Sequence, residues 1–226
     1  MSEAREQILG RLRDARDGLP DAPAAPERYQ PVSVLDDESA EGLLSRFRTE
    51  LEGLQGEVYV VPDEEAALDQ VLTLLAESGA RHALTWDWPH IPLPGLAHAL
   101  GEVGIDTLQA TPDNREACEA AEAGISGADA AIAATGSLVV STAPGMGRLA
   151  TLLPPQHIVL LRQERLLPSL EAWVAQQRAD DLAHLGTRSN LCIITGPSRT
   201  ADIEKNLVLG VHGPGRLQVV VVEGES

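Results

Sequence analysis

Asn190-Leu191-Cys192-Ile193-Ile194-Thr195-Gly196-Pro197-Ser198-Arg199-Thr200-Ala201-Asp202-Ile203-Glu204 is the stretch on which the fold turns. Leu191 to Ile194 form a short apolar run bounded by turn residues, which reads as a buried strand. The composition then changes at once. Thr195, Ser198 and Thr200 bring hydroxyls, Arg199 brings a guanidinium after the Gly196-Pro197 break, and Asp202 and Glu204 follow. A buried strand opening into a small polar loop is where open α/β folds hold ligands, outside the carboxyl ends of their strands. The plainer alternative is a strand-to-helix turn whose hydroxyls cap the helix.

Outward from this stretch, apolar runs alternate with helical patterns. Strands are expected at 58–61, 82–86, 104–108, 128–133, 137–141, 157–162, 191–194 and 217–223. Helices are expected at 2–16, 37–54, 63–78, 93–100, 113–123 and 147–153, with one more inside 166–184. Such alternation predicts an α/β fold: a mostly parallel sheet with helices on both faces. Runs 128–133 and 137–141 meet at Thr135-Gly136-Ser137 and read as a hairpin. The small residues there admit either a ligand or a tightly packed helix. Pro20, Pro23, Pro26 and Pro31 break the pattern near the start, so residues 1–36 read as an N-terminal helix and Pro-rich arm, and 37–226 as the α/β domain.

Composition narrows the function. The net charge of −17 argues against nucleic acid and against anionic membrane surfaces. The N-terminus is charged and no apolar run is long enough to span a bilayer, so a cytoplasmic protein is expected. With only Cys118 and Cys192, the chain holds neither a disulfide framework nor a four-cysteine iron–sulfur cluster. The histidines have no metal-ligand spacing, so no metal site is expected. Lys205 is the sole lysine, and no Gly-x-Ser-x-Gly elbow is present.

Two further stretches carry candidate chemistry. Pro144-Gly145-Met146-Gly147-Arg148 is a glycine-rich turn before a short helix, able to offer N–H groups to an anion beside the Arg148 charge. Leu209-Gly210-Val211-His212-Gly213-Pro214 puts a histidine in a glycine-rich loop before the last strand, as an acid–base group or as the anchor of a tight turn. Trp86-Asp87-Trp88-Pro89-His90, after another strand, reads as a pocket rim or an aromatic plug on the core.

Four segments together carry a resemblance. They are Ala128-Asp129-Ala130-Ala131-Ile132-Ala133 continuing to Thr135-Gly136-Ser137-Leu138-Val139; Gly147-Arg148-Leu149-Ala150-Thr151-Leu152-Leu153-Pro154-Pro155-Gln156-His157-Ile158; Gly196 to Glu204; and Leu209 to Pro214. In this order they resemble the lactate-utilisation (LUD) domain family, densely over 124–222 and more loosely over 37–122. The resemblance implies a Rossmann-like sheet of the NagB/RpiA/CoA-transferase type. It implies a non-cluster subunit in the oxidation of L-lactate to pyruvate, beside iron–sulfur lactate-utilisation proteins that carry the clusters, with no cofactor in this chain. The family commonly has Glu before the Thr-Gly pair; here the residue is Ala134.

The expected site joins Thr135, Gly136, Ser137, Gly145, Gly147, Arg148, Thr195, Gly196, Ser198, Arg199, Thr200, Asp202, Glu204 and Gly213 around a small anionic ligand, with Arg148 or Arg199 as the bidentate fork. His212 is the candidate proton-transfer group. Two other functions stay open: a stand-alone binding protein or enzyme for a phosphorylated or CoA-like molecule, and an assembly module without chemistry.

Overall fold

The computed structural model describes residues 2–16, 34–201 and 207–224. Helix α1 (Ser2–Arg16) belongs to a unit separate from the body that begins at residue 32, and its Ile8 and Leu12 are exposed. The proline-rich arm, Asp202, Glu204 and Lys205 lie outside the described residues.

In the body the elements run α2 (Ala40–Gly53), β1 (Glu57–Val61), α3 (Glu64–Ser78), β2 (His82–Thr85), α4 (Leu96–Glu102), β3 (Asp106–Leu108), α5 (Arg115–Glu119), β4 (Ala123–Gly127), β5 (Ala130–Ile132), β6 (Ser137–Thr142), α6 (Leu149–Leu152), β7 (Gln156–Arg162), β8 (Leu166–Leu167), α7 (Leu170–Ala179), α8 (Ala183–Gly186), β9 (Asn190–Ile194), β10 (Arg199–Ala201), β11 (Leu207–Leu209) and β12 (Arg216–Val222). Six strands form a parallel sheet in the order β1-β12-β7-β4-β2-β3. Its central strands are apolar on both faces, as in Val219-Val220-Val221-Val222, because helices cover both sides.

Register shows the two covers. Gln156 pairs with Ala123, and its side chain reaches the Leu74 carbonyl of α3. The next pair, His157 with Gly124, points the other way, where α6 packs. The α3 face carries a chain of polar side chains: Gln156 donates to Gln218 (2.6 Å), Gln218 to Glu57 (2.8 Å), and the Tyr59 hydroxyl to the same Glu57 oxygen (2.5 Å).

A second sheet runs β8-β5-β6-β9, with β5–β6 and β6–β9 antiparallel and β5–β8 parallel. Ala131, Leu138 and Leu166 join the main core from one face; Ala130, Ile132 and Val139 pack on Trp173 of α7 from the other. The hairpin is the one read in the sequence. Its small residues serve a helix: Gly136 has φ 61°, and a Cβ there would stand 2.4 Å from the Leu51 nitrogen of α2.

The sequence reading needs correcting at three places. Leu191 to Ile194 are not a buried strand of the parallel sheet. They form β9, the edge of the second sheet, with Leu191 38% and Ile193 46% exposed. The helix expected at 113–123 is only α5, and Ala123–Gly127 is a central strand. Its Ala-Gly-Ile-Ser-Gly composition has little strand propensity; burial on all sides overrides this. The loop after β9 makes a β10–β11 hairpin, beginning at the hydroxyl-rich stretch, where the sequence suggested no strand.

Candidate functional site

The carboxyl ends of β2, β4 and β7 open on a cavity of about 490 Å³. Trp86 and His90 line it from the segment after β2, Gly127 from the end of β4 and Asp129 from the segment beyond it, and Arg162 and Arg165 from the end of β7 and the turn beyond. Met146, His184 and Arg188 complete the wall. This is where a parallel α/β sheet holds ligands. The rim is tied in place by main-chain groups: the Trp86 indole donates to the Gly147 carbonyl (3.2 Å), and Asp87 N–H to the Gly145 carbonyl (2.7 Å).

Asp129 sits at the head of β5, its N–H bonded to the Val139 carbonyl (2.8 Å) and its side chain only 9% exposed. Its Oδ1 stands 3.2 Å from His184 Nε2 without hydrogen-bond alignment, and its Oδ2 is buried with no partner among the described residues. His184 Nδ1 lies 3.3 Å from Arg188 Nη2. Guanidinium can only donate, so Nδ1 accepts, and the neutral ring carries its proton on Nε2. Arg188 also points Nη1 at the Met146 sulfur (3.3 Å), while its Nε is buried and unpartnered.

The segment that brings His184 and Arg188 here is bent by Asp181 (φ 49°) and Leu182 (φ 59°). Two consecutive left-handed residues that are not glycine cost about 1–3 kcal/mol each. Leu182 N–H to the Gln177 carbonyl and Ala183 N–H to the Asp180 carbonyl, both 2.8 Å, hold the bend.

Electrostatically, three arginines and two histidines gather at one spot in a chain of net charge −17, against Asp129 and Glu164. Arg162 is ion-paired with Glu64 of α3. Two clefts continue the cavity. One of about 420 Å³ shares Asp129, Arg165 and His184 and is backed by Trp173. The other, about 840 Å³, is acidic, with Asp63, Glu64, Glu65 and Glu223 on its walls. Among the described residues no group of three His, Cys, Asp or Glu could hold a metal ion.

The residues singled out in the sequence fall at separate places. Thr195, Gly196, Ser198, His212 and Gly213 meet around a smaller cavity of about 250 Å³ at the amino ends of β7 and β12, on the opposite edge from the larger one. Two loops close on each other there: Ser198 N–H donates to the Pro214 carbonyl (2.8 Å), Gly210 N–H to the Ser198 carbonyl (2.9 Å), and His212 N–H to the Ser198 hydroxyl (3.3 Å). The hydroxyls of Thr135, Ser137 and Thr195 form a chain with steps of 2.7 and 2.8 Å. Gly145 and Gly147 instead support the rim at the carboxyl edge. Arg148, Arg199 and Thr200 line neither cavity, and both arginines are exposed.

Beneath the smaller cavity His157 is fully buried. Burial alone pulls its imidazole down to about 3. Ser126 donates its one proton to the Gly127 carbonyl (3.0 Å), so His157 donates Nε2–H to Ser126 Oγ (2.9 Å), and its Nδ1 is left unpartnered among the described residues.

Asp129, His184, Arg188 and Arg162 carry the larger cavity, yet sequence reasoning passed over them as site residues. A usable signal existed: Arg162 ends a strand that was read correctly, and Glu164 and Arg165 follow it.

The LUD domain profile matches residues 44–222. A lactate utilization protein C of Halalkalibacterium halodurans is 37% identical over 163 residues, covering 70% of this chain and 69% of that protein. One from an Exiguobacterium species is 34% identical over 192 residues, covering 84% and 81%. One from Bacillus subtilis is 27% identical over 181 residues, covering 80% and 69%. The crystal structure of a DUF162 family protein from Deinococcus radiodurans superposes with a TM-score of 0.60 at 23% identity, covering 82% of this chain and 99% of that one, and so shares the fold. Both sheets, the cavity at the carboxyl edge and the two closing loops lie within the matched span, and the chain belongs to the LUD domain family.

Proposed function

We propose that this chain is a non-cluster subunit of an L-lactate-oxidising system, working beside partner proteins that carry iron–sulfur clusters. Its family relatives are lactate utilization proteins. With two cysteines, on α5 and on β9, the chain is suited to holding substrate rather than conducting electrons. The observation that carries the reading is the arginine-lined cavity at the carboxyl edge, which matches a small carboxylate in charge and exceeds it in size. The acidic walls of the third cleft oppose a long phosphate chain, which favours this reading over a phosphorylated or CoA-like ligand.

The test is a drop-out reconstitution. Lactate-dependent dye reduction by the iron–sulfur partners is measured with and without this chain, alongside growth of a deletion strain on L-lactate. Loss of dye reduction and of growth, both restored by adding the chain back, is the expected result. Undiminished activity without the chain would remove it from the reaction.

A further inference from the structure

The two larger sheets end in four edge strands, β1 and β3 in the parallel sheet, β8 and β9 in the other. A free edge offers unpaired N–H and C=O groups to any passing strand, so folded proteins blunt their edges with charge, proline, a bulge or extreme shortness. Three of these four edges are blunted. β1 opens on Glu57 and runs into Pro62. β3 has three residues and opens on the exposed Asp106. β8 has two residues and runs into Pro168.

β9 has none of these devices. Its five residues, Asn190-Leu191-Cys192-Ile193-Ile194, include no charge and no proline, and they pair with β6 in one unbroken register. Ile193 is the register partner of Val139, and Leu191 that of Ser141. Leu191 and Ile193 therefore share the face on which Val139 packs against Trp173 of α7, and they extend that apolar layer to the edge, where both are exposed.

The strand is complementary to itself. Set antiparallel to a second β9 about a two-fold axis through Cys192, Leu191 falls opposite Ile193 of the other copy, and Ile193 opposite Leu191. Directly opposed residues pack side by side on one face. The exposed side chains of both copies would thus form one continuous apolar ladder. In the same register Ser189 meets Thr195 and Arg188 meets Gly196, so no two like charges are brought together. Two copies at −17 repel each other over most of their surface, but no Asp or Glu occurs from Leu182 to Ala201. We infer that β9 is a homodimer interface, where two copies pair edge to edge across a two-fold axis near Cys192 and join their four-stranded sheets into one.

The pairing bears on the larger cavity. Ser189, joined through its N–H and its hydroxyl to the Thr142 carbonyl, links β9 to Arg188. Pinning β9 from its outer side steadies the segment that brings His184 and Arg188 to the cavity wall.

Sedimentation of the purified full chain over a concentration series gives the oligomeric state, and amide exchange at low and high concentration locates the contact. The expected result is a concentration-dependent dimer, with exchange in β9 slowed as it forms and exchange in β3 unchanged. Leu191→Lys should weaken the dimer about ten-fold or more and leave the melting transition of the dilute chain in place. A chain that stays monomeric up to about 1 mM would overturn the inference. So would a dimer that Leu191→Lys leaves intact, or one that forms without slowing exchange in β9, since either puts the contact elsewhere. Protection of β9 that appears only when iron–sulfur partners are added would give the edge to a different occupant and overturn it too. If Leu191→Lys does not fold, the wild-type concentration and exchange series decide alone.

Discussion

Gly124 of β4 lies directly under Ala150 of α6: a Cβ on the glycine would stand 1.8 Å from the Ala150 carbonyl oxygen. The obstacle is backbone, so it cannot rotate away. Gly124→Ala must therefore push α6 off the sheet at its most central seam, between β2 and β7. The expected cost is about 3 kcal/mol or more, the upper end for overpacking. Urea unfolding checks it, through a lowered midpoint at unchanged slope.

Acid should destabilise the chain through His157. In the folded state burial holds this imidazole neutral down to about pH 3. In the unfolded chain it takes up a proton near pH 6.5. Below that pH the unfolded state binds one more proton than the native state, so stability falls as pH falls. The slope from this residue approaches about 1.4 kcal/mol per pH unit. His157→Gln should show a shallower decline between pH 6 and 4 in chemical denaturation (about one proton's worth); an identical decline would show that His157 does not drive it.

Alkali acts through Tyr59. Burial, and then the hydrogen bond to the Glu57 carboxylate and its charge, push the phenol up to about 12. An unfolded tyrosine ionises near pH 10, so above that pH the unfolded state is the one that loses a proton. Stability conferred by this group is therefore present below pH 10 and declines as pH rises toward 12. Ultraviolet titration should show one phenol ionising about two units late, and Tyr59→Phe should delete that step.

The edge strand β9 invites a charge. Ile193 is 46% exposed on a strand with one open side. Ile193→Lys should change unfolding free energy by no more than about 0.5 kcal/mol. It should also reduce concentration-dependent association in sedimentation, because a charged edge resists strand-to-strand pairing. A large loss of stability would mean that Ile193 packs more tightly than its exposure indicates.

The fold was legible in the sequence where periodicity and burial agree. Strands such as Glu57–Val61, Gln156–Arg162 and Arg216–Val222 are near-continuous apolar runs, and a strand buried on both faces has to read that way. β9 fails because Leu191 to Ile194 is an equally apolar run, and only the pairing with β6 shows that it lies at an edge. β4 fails for the opposite reason. Its Gly124 answers to α6 rather than to strand propensity. That miss hid the larger cavity, since Gly127-Ala128-Asp129 is recognisable as a strand-end loop only once β4 is a strand. His184 and Arg188 carry no local signal at all, because His184 reaches Asp129 across some fifty residues of chain and Arg188 joins the wall through His184. The two loops around Ser198 and His212 were legible as marked sequence. Their mutual hydrogen bonds, Gly210 N–H to the Ser198 carbonyl among them, close the two loops on each other.

The larger cavity takes its walls from both sheets: Trp86 and Arg162 belong to the parallel one, while Asp129 begins the other and His184 and Arg188 arrive just before its edge strand. A molecule held there is in effect a removable cross-link between two layers. Occupancy should therefore stiffen the two sheets against each other. Amide exchange in β5 and β6, slowed on occupancy, would report that coupling directly.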